Sequence, residues 1–335
     1  MKKSIVCCLL GLLLLGCEKT EYAYRYGAPI QFYSTTQSAY SRGGQTLNSL
    51  NGCSYGVIGY LYDMGMAWET VHSQAKPDAN WQNIVVQCDD DGNSIYQPLQ
   101  HWNYAKRYAF FAYYPHSNSS TGVQMIEGYA NKEDVPQIVY TIPDAAFSGS
   151  ANLMQDVMVA TKVDCSMQNT SNVELYFQHV LFAIKVVLQN YNNETVGVRN
   201  LVLNLDNVKY QKATIPLDGS AITPTGTTKR LTHTYVGNTT ISVPSTNNSA
   251  PYSLTNNENH IMLIPQTGLK GSITLDVLKS NGSYEQETIS LDFSENTFEA
   301  GHLYVISVQF LSDQVVVNTL SQSTWDDDSS EIEFE

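Results

Sequence analysis

Apolar residues recur at every second position in short runs along this chain, and no long stretch keeps the 3.6-residue spacing of a helix. The run 302–311 is the clearest case, with Tyr304, Ile306, Val308 and Phe310 on one parity. A strand turns successive side chains to opposite faces, so a period of two buries one face against a partner sheet. Similar runs read as strands at 29–36, 55–62, 83–88, 94–99, 108–114, 137–142 and 156–160, and again at 201–205, 213–217, 239–243, 260–265, 272–278 and 288–293. Many short strands separated by Gly, Pro and Asn turns predict an all-β fold of antiparallel sandwiches. Helix is expected only as short turns, such as 151–155. The Thr- and Asn-rich stretch 216–259, low in charge, reads as loop.

One long run changes phase. Val173, Leu175 and Phe177 share a parity, whereas Val180, Phe182, Ile184, Val186 and Leu188 take the other. Because the side-chain period of a strand is strict, the switch predicts a bulge or bend near Gln178 and His179. The polar break Asn169 to Asn172 precedes it, and the 335-residue length exceeds one ordinary domain, so two domains are expected, 27–170 and 171–325. The 22 Tyr residues fit strand-rich composition.

The amino terminus carries Lys2 and Lys3, an apolar run to Leu15, small Gly16, and then Cys17 followed by polar Glu18. The run is shorter than the roughly 20 apolar residues that span a bilayer. It reads as a lipoprotein signal, 1–16, whose removal leaves Cys17 as a lipid-modified first residue and 17–26 as a tether. That expectation places the chain on the outer membrane, facing the cell surface. Cys7 and Cys8 leave with the leader, so Cys53, Cys88 and Cys165 remain, enough for one disulfide at most and no disulfide framework. With 18 Lys and Arg against 32 Asp and Glu, the net charge of −14 excludes a nucleic-acid partner.

Catalytic signatures are missing: the chain has no Gly-x-Ser-x-Gly elbow, His-Glu-x-x-His helix, Cys-x-x-Cys pair or phosphate-binding glycine loop. No enzyme activity, cofactor or metal is expected. Asp89, Asp90, Asp91 and Asn93 resemble a calcium loop, but Ser94 and Gln100 stand where such a loop needs Gly and Glu, so a solvated hairpin tip is the reading. Asp326, Asp327 and Asp328 open an acidic tail, 326–335. His179 reads as a hydrogen-bonded core residue. Trp102 with Tyr104, Tyr108, Tyr113 and Tyr114 reads as packing, with sugar stacking as the other use of such rings.

Several segments together resemble the fimbrillins, the type V pilus subunits of Bacteroidia. They are the lipobox at Cys17, Ile30-Gln-Phe32, Ser41-Arg42, Tyr55-Gly-Val-Ile-Gly-Tyr60, Trp102, Tyr108-Ala-Phe-Phe-Ala-Tyr-Tyr-Pro115 and Asp156-Val-Met-Val-Ala160. Leu175 to Ala183, Leu263-Ile-Pro-Gln266, Ala300-Gly-His-Leu-Tyr304 and Trp325 complete the series. The resemblance implies two tandem transthyretin-like, Greek-key β-sandwiches and export as a lipoprotein. It also implies cleavage after an Arg behind the first strand, which frees a groove for a neighbouring subunit's strand. Arg42 stands where that Arg belongs; Arg25 precedes the strand and suits the role less well. Ile30 and Phe32 are the groove residues. Val315 and Val317, in 313–320, make the better donor strand, or close their own sheet, since the tail from Thr324 to Glu335 is acidic and carries only Ile332 and Phe334. About four apolar side chains at roughly 1.5–3 kcal/mol each would hold such a strand.

The expected function is therefore a non-enzymatic stalk, tip or anchor subunit of a surface fimbria. Its partners would be other subunits, outer-membrane lipid and host or bacterial surface receptors. The competing expectation is a surface glycan-binding lipoprotein for nutrient uptake, using Trp and Tyr side chains as stacking platforms, with Trp81 and Trp102 as the residues to test.

Overall fold

A computed structural model describes residues 26–36, 50–89, 93–117, 122–125, 135–149, 154–246, 251–254, 260–312 and 314–324. The first strands in chain order are β1 (Tyr26–Pro29), β2 (Phe32–Thr36), β3 (Ser54–Asp63), β4 (Ile84–Cys88), β5 (Ser94–Ile95) and β6 (His101–Asn103). They are followed by β7 (Lys106–Tyr114), β8 (Val123–Met125), β9 (Gln137–Thr141), β10 (Met158–Cys165) and β11 (Val173–His179). The next six are β12 (Phe182–Asn190), β13 (Val196–Val208), β14 (Lys212–Pro216), β15 (Thr223–Thr225), β16 (Lys229–Val236) and β17 (Ile241–Val243). The last six are β18 (Tyr252–Ser253), β19 (Ile261–Leu263), β20 (Gln266–Leu278), β21 (Tyr284–Phe298), β22 (His302–Phe310) and β23 (Val315–Thr324). Among the described residues the one α-helix is Trp68–Val71. The fold is all-β.

Seven strands form a sheet in the order β2-β11-β10-β7-β3-β4-β5. Its two ends meet, because Tyr33 on β2 bridges Asn93 beside β5. The sheet thus curls around an interior filled by one parity of each strand: Tyr55 and Val57, Tyr108, Phe110 and Ala112, Met158 and Ala160, Val173, Leu175 and Phe177. The opposite parity, including Ile58, Tyr60, Phe111, Tyr113 and Val159, faces a second and larger core. Strands buried on both faces account for the near-continuous apolar runs in β3 and β7.

That larger core is shared with two five-stranded sheets. One has the order β18-β12-β22-β23, with β19 also on β12; the other runs β16-β13-β20-β21, with β17 also on β13. A four-stranded sheet, β15-β14-β9-β8, joins strands from before and after residue 170. Lys212 pairs with Thr141 and Ile215 with Ile138 in that sheet. The chain position expected to divide two domains therefore precedes β11, which belongs to the seven-stranded sheet, and pairing runs across it.

Other expectations are corrected. The segment 173–189, read as one strand, is two strands in two sheets, and the expected bulge or bend is a bend at Val180 and Leu181, just past His179. Its parity switch marks the crossing, where Val180 N donates to Val157 O at 3.0 Å and Gly301 N to Leu181 O at 2.8 Å. Pairing is mostly antiparallel, but β11 with β2 and β12 with β22 are parallel. The stretch 216–259, read as loop apart from the strand at 239–243, also holds β15, β16 and β18, while β17 falls within the expected 239–243. β16 escaped notice because Thr, His and Lys interrupt its apolar residues, although Leu231 and His233 are buried. In the expected helical turn 151–155, only Met154 and Gln155 are described, and they form no helix.

Candidate strand-exchange groove

β2 is an edge strand held mainly from one side. Val173 to Phe177 of β11 pair in parallel with Phe32 to Thr36, and Val173 N donates to Gln31 O at 2.8 Å. Upstream, Ile30 N donates to Gln100 O at 2.9 Å, and β1 pairs with β6 through Tyr26 with Asn103 and Pro29 with His101. Tyr96 Oη donates to Ile30 O at 2.7 Å. Burial pushes the Tyr96 phenol up to about 12, so it stays a donor across the physiological range.

Ile30 and Phe32 share the inward parity and are buried in the closed sheet. Phe32 meets Trp81 edge-on at 5.7 Å, Phe110 edge-on at 5.2 Å and Tyr96 at 5.6 Å. Such edge-to-face contacts add to the value of area burial. Trp81 reaches this position from a short turn, Ala79–Trp81, capped by the Asp78 carboxylate, which accepts from Asn80 N at 2.9 Å. It lies against Gly59, where a Cβ would come within 2.8 Å of the indole. Ser34 points toward β4, its Oγ 3.1 Å from Cys88 Sγ.

Two apolar side chains, Ile30 just before β2 and Phe32 within it, fill the slot. At about 1.5–3 kcal/mol each they contribute roughly 3–6 kcal/mol of gross burial. Lifting the strand out would bare Trp81, Tyr96, Phe110, Leu175 and Phe177 together with one row of β11 backbone groups. Sequence reasoning missed Tyr96 and Phe110 as groove residues because a wall residue and an ordinary core residue carry the same apolar alternation.

Val315 and Val317 stand elsewhere. They lie half-buried on β23 and pack against the larger core, with β23 antiparallel to β22 from Phe310 with Val315 to His302 with Thr324. The C-terminal strand thus occupies an edge of its own sheet. Cys17 and Arg42 lie outside the described residues, as do Asp326, Asp327 and Asp328.

The remaining candidates resolve into packing. Trp81 and Trp102 are buried and cannot present a ring to a sugar, which removes the tryptophan platforms of the glycan reading. Tyr108 and Tyr113 are buried as well, while Tyr104 is exposed. His179 Nδ1 lies 2.9 Å from Asp156 Oδ1, both side chains being inaccessible, and this pair pins the crossing from β11 to β12. The Asp89 carboxylate accepts from Asn93 N at 2.8 Å, in the manner of a hairpin tip. Cys53, Cys88 and Cys165 are joined in no disulfide. Among the described residues no group of three or more His, Cys, Asp or Glu side chains is placed to hold a metal ion, and no helix is long and apolar enough to cross a membrane.

Residues 65–325 match the fimbrillin-like family. The fold is similar to the crystal structure of a fimbrial protein from Bacteroides vulgatus, with a TM-score of 0.65 and 18% identity over 89% of this chain and 100% of that one. It is also similar to that of a putative cell adhesion protein from Bacteroides ovatus, with a TM-score of 0.50 and 16% identity over 90% of this chain and 98% of that one. A comparison with curated proteins found no match. The family match spans well over half of the sequence and agrees with the observed all-β fold, and on that ground the chain belongs to the fimbrillin-like family.

Proposed function

We propose that this chain is a non-enzymatic structural subunit of a cell-surface fimbria, and that it joins its neighbours by exchanging its first strand. The observation that carries the reading is the seat of β2: a short edge strand whose Phe32, with Ile30 just before it, plugs an aromatic slot. A sheet that loses such a strand exposes unpaired backbone groups and an apolar groove at once, and one strand from another subunit satisfies both. An incoming strand would lie parallel to β11, as β2 does, and offer a bulky apolar residue at the Phe32 position.

Cys17 serves as the lipid anchor during export, holding the subunit on the outer membrane. Arg42, six positions beyond the end of β2, is the cleavage point that lets the strand go. An anchor subunit would keep its lipid and its first strand; a stalk or tip subunit would lose both. Adhesion to host or bacterial surfaces follows from display on the fibre.

Peptide mass mapping of protein from the cell surface tests this. A stalk or tip subunit starts at Gly43 in assembled material, and Arg42→Ala abolishes its incorporation. An anchor keeps an acylated Cys17 in the fimbrial fraction. Absence of the chain from every fimbrial assembly, with or without cleavage, overturns the reading.

A further inference from the structure

Cys53 and Cys88 face each other at the end of the β3–β4 pair. The register that matches Ser54 with Gln87 and Tyr55 with Val86 extends one step to these two residues. The main chain agrees: Cys88 N donates to Cys53 O at 2.9 Å, and Gly52 N donates to Cys88 O at 3.0 Å. Gly52, at a φ of 71°, and Cys53 together oppose Cys88, which makes a bulge with a left-handed glycine in its first position. Cys53 N donates to Leu50 O at 2.9 Å and closes the turn that leads into it.

The two side chains share a face. Tyr55, Val86 and Cys88 belong to the interior of the curled sheet, and Cys53 packs against the same cluster. Opposed residues of an antiparallel pair stand about 4.5–5.5 Å apart at Cα, within the roughly 4.4–6.8 Å that a disulfide spans. Cys165 is no rival. It pairs with Tyr108, which pairs with Leu61, and Leu61 lies roughly 26 Å along β3 from Cys53 at a strand's rise per residue.

We propose that Cys53 and Cys88 close a disulfide across β3 and β4 when the protein meets an external disulfide of the glutathione class. Cys53, the more exposed of the two, attacks the external disulfide as a thiolate, forms a mixed disulfide and releases one thiol. The Cys88 thiolate then attacks the Cys53 sulfur, its proton passing to solvent and on to the second departing thiolate. The protein loses two protons and two electrons, and the external disulfide takes them up to become two thiols. Burial raises the Cys88 thiol above its ordinary value, which lowers its thiolate fraction for the second attack.

The bond bears on the groove. Cys88 Sγ now lies beside Ser34 of β2; joining Cys53 draws it off the strand that would leave and ties β4 to β3 in the wall that would stay. This consequence rests on the strand-exchange reading, whereas the disulfide itself does not.

The test oxidises the purified, folded protein with oxidised glutathione, alkylates it before and after unfolding, and maps its peptides. The expected product is one linked pair, Cys53 with Cys88, with Cys165 alkylated on unfolding. Reduction then lowers the melting temperature of the wild type and leaves that of Cys53→Ser unchanged. Alkylation of all three thiols after oxidation, a bond that includes Cys165, or an equal response of Cys53→Ser to reductant overturns the proposal. Surface material found outside any fimbria defeats only the strand-exchange reading, because the chemistry of the pair is read on isolated protein.

Discussion

The two edge strands nearest the ends of the described chain are held by different means. β2 is five residues long and parallel to its neighbour, yet Ile30 and Phe32 are sunk in an aromatic interior. β23 is twice as long and antiparallel, bonded to β22 along its length, while Val315 and Val317 are only half-buried. One strand is a plug and the other is a zipper. Burial of a few large side chains is non-directional and can be reproduced by any strand of similar shape, whereas a long ladder must be unmade bond by bond. The contrast makes β2 the better candidate for exchange and β23 the better permanent edge.

The comparison breaks most readily at Phe32. Phe32→Ala should cost about 3–5 kcal/mol by urea unfolding, the usual range for emptying a buried aromatic site. A loss below about 1 kcal/mol would mean that the plug is not what seats the strand.

Acid probes the other end of the molecule. His233 on β16 is buried in the C-terminal part, and burial pushes its imidazole down to about 4 from an ordinary 6.5. The folded state therefore binds its proton less readily than the unfolded state does. Its contribution is fully present above pH 6.5 and is lost as pH falls toward 4, by about 3 kcal/mol in all. His260, pushed down to about 3 mainly by burial and also by the Lys185 charge, acts in the same direction and further into acid. Unfolding midpoints measured from pH 7 to pH 4 should fall, and His233→Leu should flatten that slope. A slope unchanged by His233→Leu would take the acid sensitivity away from β16.

Two smaller changes compare the strands directly. Tyr96→Phe leaves Ile30 O without its phenol donor and should cost about 1–3 kcal/mol, with faster hydrogen exchange of the Ile30 amide as the local sign. Val317→Ala should cost only about 1 kcal/mol, since the side chain is half-buried. If Val317→Ala proved the more damaging of the two, the division into plug and zipper would be reversed.

Much of this was legible in the alternation of single strands. Tyr304, Ile306, Val308 and Phe310 are all buried, and so are Ile30 and Phe32, but Leu303, Val305, Ser307 and Gln309 on the opposite parity of β22 are buried as well, so that strand is not one-sided. What alternation could not convey is which sheet a strand joins. Val173 to Gln189 changes parity at the point where the chain leaves one sheet for another, and a bulge would leave the same trace in the sequence. β16 was hidden by its Thr, His and Lys residues, because its burial comes from neighbouring strands rather than from its own hydrophobicity.

The sequence by itself determined the all-β class, the inward parity of strands buried on one face, such as β11, and, through ordered motifs, the kinship with fimbrillins. Those properties are local, or are set by residue order. Only the tertiary structure decided that β2 lies parallel to β11, that Trp81 and Trp102 are core residues, that β9 pairs with β14 across the expected boundary, and that Cys53 stands opposite Cys88. Each of these depends on which distant segments meet. A period of two states which side of a strand is buried, but it is silent about the partner that buries it.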